Sequence, residues 1–197
     1  EAVTAVLESD VDADLTRGPA ISTDFHPDPR THITQNRYVG GGKMLRWQVG
    51  PLVDGSRPLR RSIETALSIL RHPVRTIRPV FAKGFEKRLT AITVMQEVDS
   101  ELSFRLKRSR LMPWKTVLQS ESVKGREAPS YLPVANEAAR AFAESSGGEP
   151  LNLVVESLGG RSVTAHILGG AVISDDASGG VIDAGHEVHG HPGLFIA

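Results

Sequence analysis

Leu89-Thr90-Ala91-Ile92-Thr93-Val94-Met95-Gln96-Glu97-Val98 is the most strand-like stretch of the chain. Leu89, Ala91 and Thr93 point one way, and Thr90, Ile92, Val94 and Gln96 the other. Both faces are largely apolar, which predicts a strand in the middle of a sheet. Upstream, the β-branched run over residues 2–8 reads as another strand. Residues 20–26 and 31–38 read as a hairpin joined by the turn Pro27-Asp28-Pro29, where proline presets φ and the aspartate can bond its own backbone. Downstream, a turn at Asp99-Ser100 leads to residues 101–108, with Leu102, Phe104 and Leu106 on one face. Residues 114–120 complete a predicted meander, and residues 151–156 read as a further strand. Three helices are expected. The first spans residues 59–70, with Ile63, Leu67 and Leu70 in one row, and is stopped by Pro73. A shorter one follows over 74–83. The third spans 134–145, with Val134, Ala138, Ala141 and Phe142 as its stripe, and is closed by Gly147-Gly148. Residues 43–58 suggest no definite element. The pattern predicts an α+β fold: an antiparallel or mixed sheet of about 5–7 strands with helices on one face.

Composition narrows the function classes. The 23 basic and 23 acidic residues cancel, so no long-range field favours nucleic acid. The densest basic run, residues 105–110, reads as a solvated hairpin face. With no cysteine, disulfides, thiolate metal sites and cysteine nucleophiles are excluded. No apolar run approaches the roughly 20 residues of a membrane span, so no integral membrane segment is expected. The location expected is soluble, cytoplasmic or membrane-peripheral. The chain opens at Glu1 without an initiator methionine and is expected to be cut from a longer protein.

Near the C-terminal end a composition shift occurs. After Gly159-Gly160 the chain is rich in glycine and histidine and nearly free of lysine and arginine, which marks a boundary around Ser162. His166 stands beside Gly169-Gly170. An imidazole can accept and return a proton near neutral pH, and glycine leaves room for a planar ligand. By spacing alone, His166 reads as a strand-end histidine satisfied by a backbone carbonyl. His186, His189 and His191 form H-x2-H-x-H, read here as polar hairpin residues, so no metal site is expected. Glu97, Asp99 and Glu101 would share a face of a continuous strand, but the turn at Asp99-Ser100 makes them a solvated tip. No phosphate-cradling loop and no nucleophile elbow is present.

The run Thr164-Ala165-His166-Ile167-Leu168-Gly169-Gly170-Ala171-Val172-Ile173 resembles the C-terminal histidine motif of the glucose–methanol–choline (GMC) flavoprotein oxidoreductases. So does the stretch from Gly180-Val181-Ile182-Asp183 to His191-Pro192-Gly193-Leu194-Phe195-Ile196-Ala197. Weaker segments agree in order: residues 18–23, Thr31-His32-Ile33, Arg37-Tyr38, and Val94-Met95-Gln96 followed by Asp99. The similarity covers nearly the whole chain and is nearest to the cholesterol-oxidase-like branch found in actinobacteria.

The resemblance implies that residues 1–160 are a substrate-binding domain and 161–197 a partial return segment of an FAD-binding domain. FAD is the implied cofactor, with most of its site outside this chain, and the missing FAD-binding domain of the same protein is the implied partner. A bulky hydrophobic alcohol or sterol is the implied substrate. The resemblance makes His166 the catalytic acid/base, Gly169 and Gly170 cofactor-binding residues, and Thr34 and Met95 substrate-binding residues. It implies that the dinucleotide fingerprint lies upstream of Glu1 and the last flavin-contacting segment beyond Ala197. One position departs from the pattern. Cholesterol-oxidase relatives usually carry glutamate where this chain has Thr34, and a hydroxyl cannot replace a carboxylate as base at neutral pH. The departure counts against steroid isomerisation and leaves alcohol oxidation at His166 as the expected reaction. The other class open to such a chain is a non-catalytic α+β binding module.

Overall fold

In the computed structural model, residues 2–7, 14–38, 42–110, 112–159, 162, 164 and 169–196 are described. The strand β5 (Leu89–Gln96) is bonded along both edges, by β3 (Thr31–Asn36) on one side and β1 (Ala2–Leu7) on the other, and residues 89–94 are buried. This is the central position that two apolar faces require. The strand stops at Gln96, two residues short of the expected end, where the Glu97 N–H turns to the Arg30 carbonyl at 2.8 Å.

With β2 (Ile21–Asp28), β4 (Val49–Pro51) and β8 (Glu149–Leu153), the order across the sheet is β2-β3-β5-β1-β8-β4, every neighbouring pair antiparallel. The molecule is α+β with a six-stranded sheet. The expected meander did not form. Among the described residues β6 (Leu102–Arg108) and β7 (Thr116–Ser122) pair only with each other, as a separate two-stranded sheet. Alternation predicted the strands and their pairing with each other; it carries no information on which sheet a hairpin joins.

The two faces of the large sheet differ. Ala2, Val6, Ile33, Ile92 and Val94 meet Ala135, Ala139 and Ala143 of α5 (Pro133–Ser146). The fully buried positions, Ala135, Ala139 and Ala143, lie one residue beyond the expected stripe, of which Val134, Ala138 and Phe142 still pack, half-buried, against the same cluster, while Ala141 is exposed. Gly147 at φ 64° ends α5. At Gly148 a Cβ would lie 2.7 Å from Val6 Cγ1 and 3.0 Å from the Leu7 carbonyl oxygen, so only glycine fits. On the opposite face, Ala5, Leu7, Val49, Leu89 and Leu151 enclose Phe85 of α4 (Phe85–Arg88), with Leu45 of α1 (Gly42–Leu45) alongside. This apolar cluster covers the β1–β8–β4 end and leaves the β2–β3–β5 end of that face to polar residues.

Pro73 ends α2 (Pro58–Arg71) as expected, and it also opens α3 (Pro73–Phe81), because its missing N–H costs nothing in a first turn. The row Ile63, Leu67, Leu70 that identified α2 is turned outward and continues through Val74, Ile77 and Phe81 of α3; all six side chains are exposed. The buried side of α2 carries Arg61 and Thr65. Residues 154–156, expected as the end of a strand, instead begin α6 (Val154–Gly159). β8 loses its ladder partner when β4 ends opposite Leu153, and the Val154 N–H is taken by the Gln48 carbonyl at 2.7 Å.

The chain forms two compact units, Glu1–Val163 and Thr164–Ala197. In the second, Ile182 is buried and bridges to both Ile173 and Val188. Asp183 Oδ1 accepts the N–H groups of Gly185 and Glu187 at 2.8 and 3.0 Å, which fixes the loop between them.

Candidate functional site

The polar end of the sheet is assembled by register. Thr34 lies opposite Asp24 on one side and Thr93 on the other; His32, two residues earlier on β3, lies opposite Met95. Opposed residues of an antiparallel pair share a face, as do residues two apart. Asp24, His32, Thr34, Asn36, Thr93 and Met95 therefore share one face. Thr34 and Met95 are diagonal neighbours across β3 and β5. Thr34 and Thr93 are buried and Met95 half-buried. The Asn36 amide donates to Thr93 Oγ1 at 2.5 Å.

A bulge adds a further group. Phe25 pairs with Ile33 and Asp28 with Thr31, so His26 and Pro27 together oppose His32. The His26 and His32 rings stack at 4.7 Å with 12° between planes. His32 Nε2 is 2.6 Å and His26 Nε2 3.6 Å from the same Asp24 Oδ1. The turn beyond is held by Asp28, whose carboxylate accepts the Arg30 N–H at 2.8 Å.

Chemically this end offers hydroxyl and amide groups for a polar substituent, a thioether for apolar contact, and a carboxylate one strand away from Thr34. A described cavity lies elsewhere, between β4, β8 and the helices α2 and α3. It holds about 170 Å³, below the roughly 300 Å³ at which drug-sized pockets begin.

The second unit holds the glycines. Gly169 has φ 84°, and a Cβ at Gly169 or Gly170 would meet no atom within 4 Å. Gly169 is required by its backbone conformation, and both positions leave open space. His166 lies outside the described residues. The structure thus groups Thr34 with Met95 in the first unit and holds Gly169 and Gly170 in the second.

The histidine triplet is not gathered. His186 Nδ1 contacts the Ile196 carbonyl at 3.0 Å and His189 Nε2 the Ser174 carbonyl at 3.1 Å. At the acidic tip Arg126 contacts two of the carboxylates, Asp99 at 3.3 Å and Glu101 at 2.6 Å. Arg105 and Lys107 both reach Glu121.

Two polar centres, one buried at Arg61 and one nearer the surface at Asp54, had no sequence signal. Arg61, 2% exposed, donates to the Ser130 carbonyl at 2.5 Å and lies over the Tyr131 ring. Burial lowers the tendency of its guanidinium to hold its proton; Glu156, Tyr131 and Asp54 oppose that. Asp54 accepts hydrogen bonds from Tyr131 and Asn136, both at 2.9 Å, and from Arg140. Burial alone would raise the Asp54 carboxyl, but the bonds from Asn136, Arg140 and Tyr131 outweigh it and hold the group below its ordinary value.

The chain is similar to cholesterol oxidases. It is 33% identical over 200 residues to the cholesterol oxidase of Mycobacterium tuberculosis, in two strains, covering 98% of this chain and 33% of that protein. It is 29% identical over 185 residues to the cholesterol oxidase of Acinetobacter baumannii, covering 94% of this chain and 33% of that one. The chain spans about a third of the length of these curated relatives. No protein-family profile and no solved structure matches it.

Proposed function

We propose that this chain is the substrate-domain portion of an FAD-dependent oxidoreductase of the GMC type, which oxidises the hydroxyl of a bulky hydrophobic alcohol, a sterol being the first candidate. The observation that carries the reading is the similarity to cholesterol oxidases along 98% of the chain. In this reading residues 1–160 cover the substrate and residues 161–197 begin the return to the FAD-binding domain. The open space at Gly169 and Gly170 suits the approach of a planar ring system. When bound, FAD supplies the two-electron acceptor.

The chain's own residues bind, orient and move one proton. His166 accepts the proton of the substrate hydroxyl while the hydride leaves the adjoining carbon, so the alcohol becomes a carbonyl and the proton rests on the imidazole. Thr34 and Met95 contact the substrate from the sheet, Thr34 by a hydrogen bond and Met95 by apolar packing. Thr34 itself cannot serve as base at neutral pH.

The test uses the full-length protein. Alcohol added without oxygen bleaches its flavin absorbance, and His166→Ala slows that bleaching by a factor of about 10² to 10⁴ in stopped-flow measurements. An unchanged rate removes His166 from the chemistry. A colourless full-length protein favours the binding module.

A further inference from the structure

We propose that Asp24, His26 and His32 form a binding site for a divalent late first-row transition ion, with Zn²⁺ as the reference cation. The inference stands independently of the oxidoreductase reading. Among the described residues these three form the group of potential ligands that converges, one donor atom from each lying within 4.8 Å of the others.

Backbone register causes the convergence. Asp24 and His26 are two apart on β2, and the bulge sets His26 against His32. Zinc bonds of ~2.0–2.1 Å in a tetrahedron place donors ~3.3 Å apart. The separations of 2.6 and 3.6 Å from Asp24 Oδ1 bracket that spacing.

A second observation points to a ligand. His32 Nε2 is shielded from solvent and makes no directed hydrogen bond. Its 2.6 Å approach to Asp24 is therefore off the donor axis: a close contact, with the ring nitrogen left without a proper partner. The core does not require these histidines either. β2 is an edge strand, exposed along nearly its whole length, and the side chains of His26 and Asp24 are 59% and 56% exposed. An ion must lie in the plane of each imidazole that binds it, so the nearly parallel rings must swing apart, and the 59% exposure of the His26 side chain permits that.

Two imidazoles and one carboxylate suit zinc and its neighbours, not the oxygen-seeking Mg²⁺ or Ca²⁺. Three protein ligands at an exposed position leave at least one coordination place to water or a ligand oxygen.

The experiment uses the chelator-treated 197-residue chain. Zn²⁺ is titrated against a chromophoric chelator, and the histidine ring resonances are followed by NMR. The expected result is one equivalent bound, with the His26 and His32 signals shifted and no response to Mg²⁺. Asp24→Asn, His26→Ala and His32→Gln each weaken binding by at least the roughly 10–100-fold that losing an outer-shell partner costs. His72→Ala and His189→Ala leave it unchanged. Circular dichroism confirms that each variant keeps its fold. Zinc binding retained in both the His26 and His32 variants, or none in the parent chain, overturns the site.

Discussion

Arg61 ties α2 to the segment before α5. It is buried, it donates to the Ser130 carbonyl, and Glu156, also 2% exposed, acts on it electrostatically. Arg61→Met removes the cation and leaves the Glu156 carboxylate buried without it. The expected loss is about 3 kcal/mol, typical of breaking a buried pair from one side, read as a fall in the urea midpoint. Asp54 makes the pH argument. Its carboxyl is held lower in the folded chain than its ordinary value of 3.8, so the unfolded chain takes up the proton first as pH falls. Its contribution is complete well above that value and is lost as pH falls through the folded value. Because the group is partly exposed, Asp54→Asn is expected to cost only about 1 kcal/mol at neutral pH. Urea melts at successive pH values should show the difference between variant and parent closing below about pH 4. A constant difference would remove Asp54 from the acid limb.

The elements differ in how firmly they are held. β5 has strands on both sides and buried residues on both faces, whereas β6 and β7 have only each other and leave Leu106 and Leu118, a directly opposed pair, exposed. A two-stranded sheet is marginal alone. In hydrogen exchange the amides of residues 102–108 and 116–122 should therefore exchange well before those of residues 89–94; equal protection would mean the hairpin is anchored in some other way. The same contrast explains what the sequence could convey. β5 was legible because its apolar residues fall on both faces. The hairpin β2–β3 was legible from its turn residues, although β2 runs on through Pro27-Asp28 and the turn itself is Pro29-Arg30; α5 was legible from its terminal glycines. β4 was not, since Gly50 and Pro51 break any strand pattern, and three residues paired to an edge leave little trace. Val154-Val155 reads as strand by β-branching, but no partner remains beyond Leu153. The grouping of Thr34 with Met95 follows from the β3–β5 register, and that of His26 with His32 from a bulge. Neither is written in local spacing.

At the scale of the molecule, the two units carry different parts of the proposed chemistry. The first offers a sheet with one end of a face polar; the second offers a glycine-bearing loop structure around Ile182. The composition shift after Gly159-Gly160 was visible because it changes residue type, while the polar centres at Arg61 and Asp54 were hidden because their partners are distant in sequence, Ser130 being 69 positions from Arg61 and Arg140 86 from Asp54. The outward row on α2 and α3 has a colloidal consequence. The chain has no formal net charge at neutral pH and an isoelectric point near 7.3, so little double-layer repulsion keeps particles apart there. Ile63, Leu70, Val74, Ile77 and Phe81 then act as a short-range adhesive patch. Static light scattering should give a negative second virial coefficient near pH 7 that turns positive toward pH 5 or on replacing Ile63 and Ile77 with glutamate. A positive coefficient for the parent chain at pH 7 would show that this surface does not stick to itself.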